Sequence, residues 1–418
     1  CFALAMEDKT TQALPLAPYR ALDLTDEKGL LCGKVLGDLG ADVVKVERPG
    51  GDPARGIGPF YHDTPHPEKS LFWFTFNTSK RGITLNLECA AGQDIFRRLS
   101  READFVLESF PPGYLDSLGL GYEALSQLNP RLIMTSITPF GQSGPRRDWK
   151  ASDITLMALG GLMYICGDPD RPPVRVTAPQ ANVQAGSQAA VGSMIAHSFR
   201  ERTGLGQHVD VSIQECIALT LGNVQQTWDM NRRNTRRAGG RRDFGSRFLR
   251  VLFPCQDGYV ASFGRAGAGF LPLVQWMDEE GEATGLAEKD WMNLDSFQLS
   301  QDELDQLYEA TGRFFSKHTK QELYERAMKR RLFLHPVNTP KDLVESPQLA
   351  SRDYFVPVEH PELGESLIYP GAPYRSTETS WRISRRAPLI GEHNEEVYLG
   401  EMGFTSEELA TLKQAGVI

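Results

Sequence analysis

Cationic side chains stand beside turns in two early segments of the sequence, where they could hold phosphate groups. Arg48 follows the apolar run "ADVVKVE" (41–47), and Lys80 lies in the segment "NTSKRG". Both side chain types bind phosphate through charge-assisted hydrogen bonds. Either cation alone is the ordinary surface charge of a loop. Two such turns after adjacent strands of one parallel sheet favour an anion site, because ligands gather outside the carboxyl ends of these strands.

The segment "VTAPQANVQAG" (176–186) carries Asn182 at its centre and no acid. It lies between a proline-rich turn and a run of small residues, from about residue 187, that predicts a long helix. The sequence contains no GxSxG elbow, P-loop or HExxH motif, so the common hydrolase, kinase and zinc-protease chemistries lack their residues.

The histidines and cysteines do not predict a metal site. His62 and His66 have HxxxH spacing, but Pro65 between them is incompatible with the helix that would place both imidazoles on one face. The six cysteines are scattered, with no CxxC pair. We therefore expect no bound metal and reduced thiols in a reducing compartment.

Composition excludes several classes of partner. The 418-residue chain has 40% hydrophobic and 24% charged residues and a formal net charge of −9, which is typical of a globular protein and argues against nucleic acid binding. The basic run "RRNTRRAGGRR" (232–242) is interpreted as a solvated loop. No apolar run reaches the ~18–20 residues of a membrane span. We expect a cytoplasmic protein that does not bind membranes.

The order of predicted elements indicates an open α/β domain. A strand at 19–25, a helix at 28–40 and a strand at 41–47 form a βαβ unit, and the pattern recurs with strands at 82–88, 104–110, 131–140 and 208–213. The first turn reads "DEKG" and not GxGxxG, which disfavours a dinucleotide site. The predicted domains are a large one from 14–224, a smaller α+β domain at 225–330, and a return to the large domain at 331–418.

The motifs together resemble the class III (CaiB/BaiF) coenzyme A transferase family. The resemblance rests on "LGDLGADVVKVERPGGDPAR", "NTSKRGITLNL", "ADFVLESFPPGYLDSLGLGYEAL", "NPRLIMTSITPFGQSGP", "RERTGLGQHVDVSIQE" and "APLIGEHNEEVYLGEMGFTSEEL", in order along nearly the whole chain. It implies a Rossmann-like large domain made from both termini, a small domain between, and two interlaced chains. Such a dimer has no independently stable monomer.

The resemblance also implies a reaction that this chain cannot perform alone. Family members attack an acyl-CoA with an aspartate, which forms a mixed anhydride and then an aspartyl-CoA thioester. Aligned from the "PP" of "DRPPVRV", Asn182 occupies the aspartate position. An amide is nearly isosteric with a carboxylate but is uncharged, so we expect no catalytic residue in this chain. Val183 is β-branched and should slow deamidation of Asn182.

Part of the family's CoA site is present and part is changed. Coenzyme A or acyl-CoA is expected as substrate, with no metal, and the positions implied for a residual CoA site are Arg48, Asn77, Lys80 and Phe110. Ser109 and Ser117 replace an amide and a cation of the family pattern, and the first turn is one residue short.

Three hypotheses remain open. The first is a non-catalytic subunit whose homologous partner supplies the aspartate in a heterodimer or heterotetramer; by analogy with paired subunits of anaerobic aromatic degradation, the donor is succinyl-CoA and the acceptor benzylsuccinate. The second is an active transferase, racemase or isomerase with altered chemistry, although Ser152 stands where racemases carry a histidine before Asp153. The third is a homodimer that binds CoA esters without turnover. We interpret Asp153 and Glu215 as structural.

Overall fold

The computed structural model of the protein describes residues 14–243, 245, 247–263, 269–294 and 299–418. The strands are β1 Arg20–Asp23, β2 Asp42–Glu47, β3 Lys80–Thr84, β4 Phe105–Glu108, β5 Ile133–Thr138, β6 Gln207–Ser212, β7 Arg241–Asp243, β8 Phe248–Arg250, β9 Leu252–Cys255, β10 Gly258–Ser262, β11 Leu334–Pro336, β12 Phe355–His360 and β13 Glu365–Pro370.

The α-helices are α1 Leu30–Asp38, α2 Leu71–Phe76, α3 Ala90–Arg101, α4 Tyr114–Ser117, α5 Tyr122–Leu128, α6 Asp153–Leu159, α7 Leu162–Ile165, α8 Gln180–Thr203, α9 Ile213–Leu219, α10 Val224–Asn231, α11 Leu271–Glu279, α12 Gln301–Phe315, α13 Lys320–Lys329, α14 Pro340–Val344, α15 Pro347–Ser351 and α16 Ser406–Gln414. Segments Pro53–Gly56 and Tyr61–Asp63 are 3₁₀-helical, and Glu396–Glu401 is π-helical. None of the helices in the described ranges has the length and apolar character needed to cross a membrane.

A six-stranded parallel sheet forms the centre of the first compact unit, which comprises the described residues 14–162 together with 176–221 and 348–418. The strand order is β3-β2-β1-β4-β5-β6, with every neighbouring pair parallel. Successive connections therefore run in opposite directions on the two sides of β1 and β4, which makes this pair the topological switch point of a Rossmann-type sheet. The predicted α/β fold with a parallel sheet is confirmed.

The sheet is held by apolar side chains that its strands bury. Leu22, Val44, Ile83 and Val106 are fully buried and belong to one core cluster, which α3 and the C-terminal residues also enter. Burial of each such side chain contributes ~1.5–3 kcal/mol. Because all the central strands are covered on both faces, their sequences read as nearly continuous apolar runs, and this is why sequence pattern located them.

Two elements begin earlier than the sequence pattern predicts, and both differences affect the site. Strand β3 begins at Lys80, not at residue 82, because the flanking Ser79 makes the turn with a φ of +61°. Helix α8 begins at Gln180, not near residue 187, so Asn182 lies in its first turn. The strand and helix propensities of lysine and of small residues are weak signals, and tertiary contacts fix both starts.

The second compact unit comprises residues 163–175 and 222–347. Its three-stranded antiparallel sheet has the order β11-β10-β9. Helices α11 to α13 enclose a core in which Trp276, Phe314 and Phe315 are fully buried. The sequence predicts that the smaller domain begins at residue 225 and ends at residue 330. In the structure, the main segment of the second unit begins at residue 222 and ends at residue 347.

Candidate functional site

A cavity of about 580 Å³ opens at the carboxyl edge of the parallel sheet. Its lining comes from the residues that follow four neighbouring strands: Asp26 after β1, Arg48 after β2, Leu85 after β3 and Phe110 after β4. The cavity thus lies at the switch point, where open α/β sheets bind ligands. Its volume is within the ~300–1,000 Å³ of small-molecule sites.

Arg48 presents an exposed guanidinium to this cavity from the turn that follows β2. Gly50 and Gly51 both have positive φ, +91° and +96°, which explains the glycines of the "PGG" turn. Arg48 Nε donates to the Gly51 carbonyl at 3.2 Å. Its two terminal nitrogens have no hydrogen bond to the described residues and can hold an anion.

Two of the four carboxylates that line the cavity with Arg48 are paired within the protein. Glu47 accepts two hydrogen bonds from Arg55, each of 2.7 Å, and both side chains are buried. The buried Lys45 ammonium lies 3.2 Å from an Asp52 carboxylate oxygen. Because Glu47 and Asp52 are paired, the positive charge of Arg48 is not cancelled by these two carboxylates.

Phe110 supplies an aromatic wall. Its ring lies 4.8 Å from the ring of Tyr114, with planes inclined by 35°. The loop that carries it is fixed to the turn after β1, since Ser109 Oγ donates to Asp26 Oδ1 at 2.7 Å and accepts the Asp26 N–H at 2.9 Å. A planar group of a ligand can therefore lie against Phe110 while its anionic part meets Arg48. The structure brings these two predicted residues together.

The other two predicted residues, Asn77 and Lys80, are not among the residues that line this cavity. Lys80 is fully buried, and its ammonium donates to Asp23 Oδ2 at 2.8 Å, to the Leu30 carbonyl at 2.9 Å and to Asn77 Oδ1 at 2.9 Å. Asn77 is also fully buried, and its Nδ2 donates to the Trp73 carbonyl at 3.2 Å. Every proton of the ammonium is thus used inside the protein.

The pKa shift of Asp23 supports an ion pair between Asp23 and Lys80. Burial opposes the ionisation of Asp23, but the adjacent Lys80 and Lys45 ammonium groups outweigh it and hold its pKa below the usual value. Burial lowers the pKa of Lys80, although Asp23 partly compensates. A buried pair of this kind is weak evidence for stability by itself, but removal of one partner leaves an uncompensated charge.

Asn182 lies in the first turn of α8 and is 7% exposed. A single carboxylate oxygen, Asp153 Oδ1, accepts the backbone N–H groups of Ala181 at 2.8 Å and Asn182 at 3.3 Å. These are donors that a helix start leaves unsatisfied. The Asn182 side-chain oxygen, Oδ1, is buried and has no hydrogen-bond partner among the described residues.

The chemistry available at residue 182 is that of a neutral amide. A carboxylate here would be a nucleophile at the positive end of a helix dipole. The amide nitrogen has a delocalised lone pair and the oxygen has no charge, so neither attacks a thioester. Of the two acids singled out in the sequence, Asp153 accepts backbone N–H groups at the start of α8, and Glu215 is exposed in the first turn of α9.

Two carboxyl groups near the site were missed by sequence reasoning. Glu27 lines a small cavity together with Asn182. Glu108 ends β4 beneath the cavity wall, where its Oε2 accepts the Phe110 N–H at 2.7 Å. Burial raises the pKa of Glu108 to about 7, against hydrogen bonds from Ser136 and Phe110 that lower it. The sequence did contain a signal for Glu108, because an acid at the end of a buried strand is unusual. The sequence around Glu27 contains no comparable signal.

His62 and His66 do not form part of a metal site in the structure. His62 has a φ of +50° inside a 3₁₀ segment, and the His66 ring accepts the Glu68 N–H at 3.0 Å. Within the described ranges, no group of three or more His, Cys, Asp or Glu side chains is arranged to hold a metal ion.

The parallel sheet, with a cavity at its switch point, defines a Rossmann-type fold. The sequence profile of CoA-transferase family III matches residues 17–394. The chain belongs to this family. The predicted family and enzyme class are therefore confirmed, and acyl-CoA is the substrate class.

Characterised relatives match over almost the full length. The succinyl-CoA:(R)-benzylsuccinate CoA-transferase subunit BbsE of Thauera aromatica is 40% identical over 405 residues, which cover 96% of this chain and 97% of that protein. The succinyl-CoA–D-citramalate CoA-transferase of Chloroflexus aurantiacus is 32% identical, with 97% and 98% covered. A CaiB/BaiF family protein from Brucella suis has a crystal structure that superimposes with a TM-score of 0.82, at 26% identity, over 93% of this chain and all of that one.

Proposed function

We propose that this chain is the non-catalytic subunit of a heteromeric class III CoA-transferase. A homologous subunit supplies the nucleophilic aspartate, and the two chains form a heterodimer or heterotetramer. The complex moves CoA from an acyl-CoA donor to a carboxylic acid, with succinyl-CoA as the donor and benzylsuccinate as the acceptor. It works in the cytoplasm, in anaerobic degradation of aromatic compounds.

The observation that carries the proposal is the amide of Asn182 at the start of α8. Residue 182 has the setting of a nucleophile, because it stands at a helix N-terminus. It lacks the charge of one. The fold around it is intact, with the α8 start capped by Asp153. A preserved scaffold with the reactive group exchanged is expected of a subunit whose partner performs the covalent step.

The relatives support both the complex and its substrates. The Thauera protein is named as a subunit, and a Chloroflexus protein that is 31% identical to this chain is named as the beta subunit of a succinyl-CoA–L-malate CoA-transferase. Both names include succinyl-CoA as the donor. The greater identity to the benzylsuccinate enzyme favours an aromatic dicarboxylic acid as the acceptor.

We further propose that a CoA nucleotide can still bind in the 580 Å³ cavity. Arg48 would bind a phosphate and Phe110 would lie against the adenine ring. Asn77 and Lys80, which the family resemblance places beside the nucleotide, would act indirectly by fixing β3 against β1 and α1. This division follows from the exposure of Arg48 and the complete burial of Lys80.

The test is a CoA-transfer assay on the chain alone and after co-expression with its nearest aspartate-bearing paralogue. Succinyl-CoA and benzylsuccinate are the first substrates, and native mass spectrometry reports the assembly. We expect transfer by the mixed complex only. Replacement of the partner's aspartate by asparagine should abolish transfer, while Asn182→Ala in this chain should change it by less than about twofold, because a neutral side chain makes no covalent contribution.

The alternative functions make different predictions. An active enzyme with altered chemistry would turn over as the purified chain alone, and that result would refute the proposal. A binding protein without turnover would retain CoA esters but would form no active complex with the paralogue.

A further inference from the structure

Two hydrogen-bond acceptors belong to residues that line one small cavity of about 10 Å³ at the start of α8. One is Asn182 Oδ1, which is buried and has no partner among the described residues. The other is the carboxyl group of Glu27, in the loop between β1 and α1. Among the described residues, the one hydrogen-bond donor to this carboxyl is its own backbone N–H. Neither acceptor is satisfied by a side-chain donor.

The rest of the cavity wall cannot supply a donor. Leu31 comes from α1, and Phe72 and Phe76 come from α2. Their side chains are apolar. A cavity of this size holds about one water molecule, which needs ~10–15 Å³ and at least two polar partners. A single water molecule donates two hydrogen bonds, so one water can satisfy both acceptors.

We propose that Glu27 and Asn182 hold one water molecule between them and act as a unit. As a result, the acid at position 27 determines which side chains the fold tolerates at position 182. An amide at 182 is compatible with a carboxylate across the cavity. An aspartate at 182 is not, because two carboxylates in one small space cannot both ionise near neutral pH. Glu27 is therefore a positioning residue, and in an Asn182→Asp variant it would keep the new acid protonated and unreactive.

The charges around the pair are few. Burial raises the pKa of Glu27, and Asp26 raises it further, while Lys28 lowers it and Asp52 has a small raising effect. Asp153 lies beside the backbone of residue 182. Helices α1 and α2 contribute apolar groups to the cavity. No Lys or Arg is among the described residues that line the cavity, so the cavity wall offers no cation to neutralise a second carboxylate. This inference concerns one chain and does not depend on the identity of the partner.

The experiment is a double-mutant cycle on the full chain with Asn182→Asp, Glu27→Gln and the double variant. Thermal unfolding is followed at about pH 5.5 and about pH 8. An acid whose folded pKa is raised loses stability as pH rises from its unfolded value through the folded one. We expect Asn182→Asp to lower the Tm by several degrees more at the higher pH. When Asn182→Asp is combined with Glu27→Gln, this extra loss should become clearly smaller, and the part that remains is due to the burial of position 182.

Glu102→Gln is the matched control, because Glu102 is exposed at the end of α3 and its removal should leave the pH dependence of Asn182→Asp unchanged. Glu27→Gln alone removes the titration of Glu27, so the informative quantity is the extra pH-dependent loss caused by Asn182→Asp, which a purely structural role for Glu27 would leave unchanged. Equal pH-dependent losses from Asn182→Asp in the presence and in the absence of Glu27→Gln would overturn the proposal. Where Asn182→Asp does not fold at the higher pH, recovery of folding by Glu27→Gln supports the proposal, and lack of recovery overturns it.

Discussion

Lys80 Nζ lies 2.8 Å from Asp23 Oδ2, and both side chains are fully buried. The two residues are on β3 and β1, which are separated by β2 in the sheet. The same ammonium also bonds to the Leu30 carbonyl at the start of α1 and to Asn77 at the end of α2. Lys80 therefore ties together four elements beneath the candidate site.

This network predicts a loss of stability on mutation of Lys80. In Lys80→Ala, Asp23 remains buried without its strongest partner, and breaking a buried pair in this way costs ~3–5 kcal/mol. Urea denaturation should show a correspondingly lower midpoint. The exposed Lys150→Ala is the control and should shift the unfolding free energy by less than ~0.5 kcal/mol. A stable Lys80→Ala protein with weakened CoA binding would instead mean that this lysine reaches the nucleotide.

Arg48 should behave differently, since its guanidinium is exposed in the cavity. Arg48→Ala should leave the unfolding free energy nearly unchanged and weaken CoA binding about tenfold to a hundredfold, the effect of a lost charge-assisted hydrogen bond worth ~1.5–3 kcal/mol. Titration calorimetry with CoA measures this, and the difference from wild type should shrink at high salt. Arg352→Ala, at another exposed position, is the control. An unchanged affinity would place the phosphates elsewhere.

The contrast between Arg48 and Lys80 shows what the sequence can predict. The parallel sheet was predictable because apolar runs are a local signal, and Arg48 was placed correctly at a strand end. The burial of Lys80 was not, because it depends on Asp23, 57 positions away in the chain. The Glu27 cavity was missed for the same reason: its other walls come from α1, α2 and α8, and no local pattern brings these together.

Glu108 predicts a pH dependence of stability. Burial raises its pKa from 4.5 to about 7, so the folded protein binds the proton more tightly than the unfolded chain. Stability is therefore lost as pH rises from about 4.5 to about 7, by ~3 kcal/mol at most. Glu108→Gln stays neutral and should remove this loss, which chemical denaturation at pH values on both sides of the interval will measure.

The control for this titration is Glu123→Gln, since Glu123 is exposed in the first turn of α5. Its replacement should leave the pH profile of the wild type in place. If Glu108→Gln kept the wild-type dependence of stability on pH, the buried carboxyl group of Glu108 would have its ordinary pKa in the folded state.

Mutation of Asp153, which caps the start of α8, can distinguish a structural role of this residue from a catalytic one. Its Oδ1 accepts two backbone N–H groups, from Ala181 and Asn182, so Asp153→Ala should cost ~1–2 kcal/mol of stability. Asp153→Asn keeps an oxygen acceptor and should cost less. The exposed Asp170→Ala is the control for denaturation. In the mixed complex, loss of transfer by Asp153→Asn without loss of stability would contradict this interpretation, because a cap acts through the fold and a proton-transfer group does not.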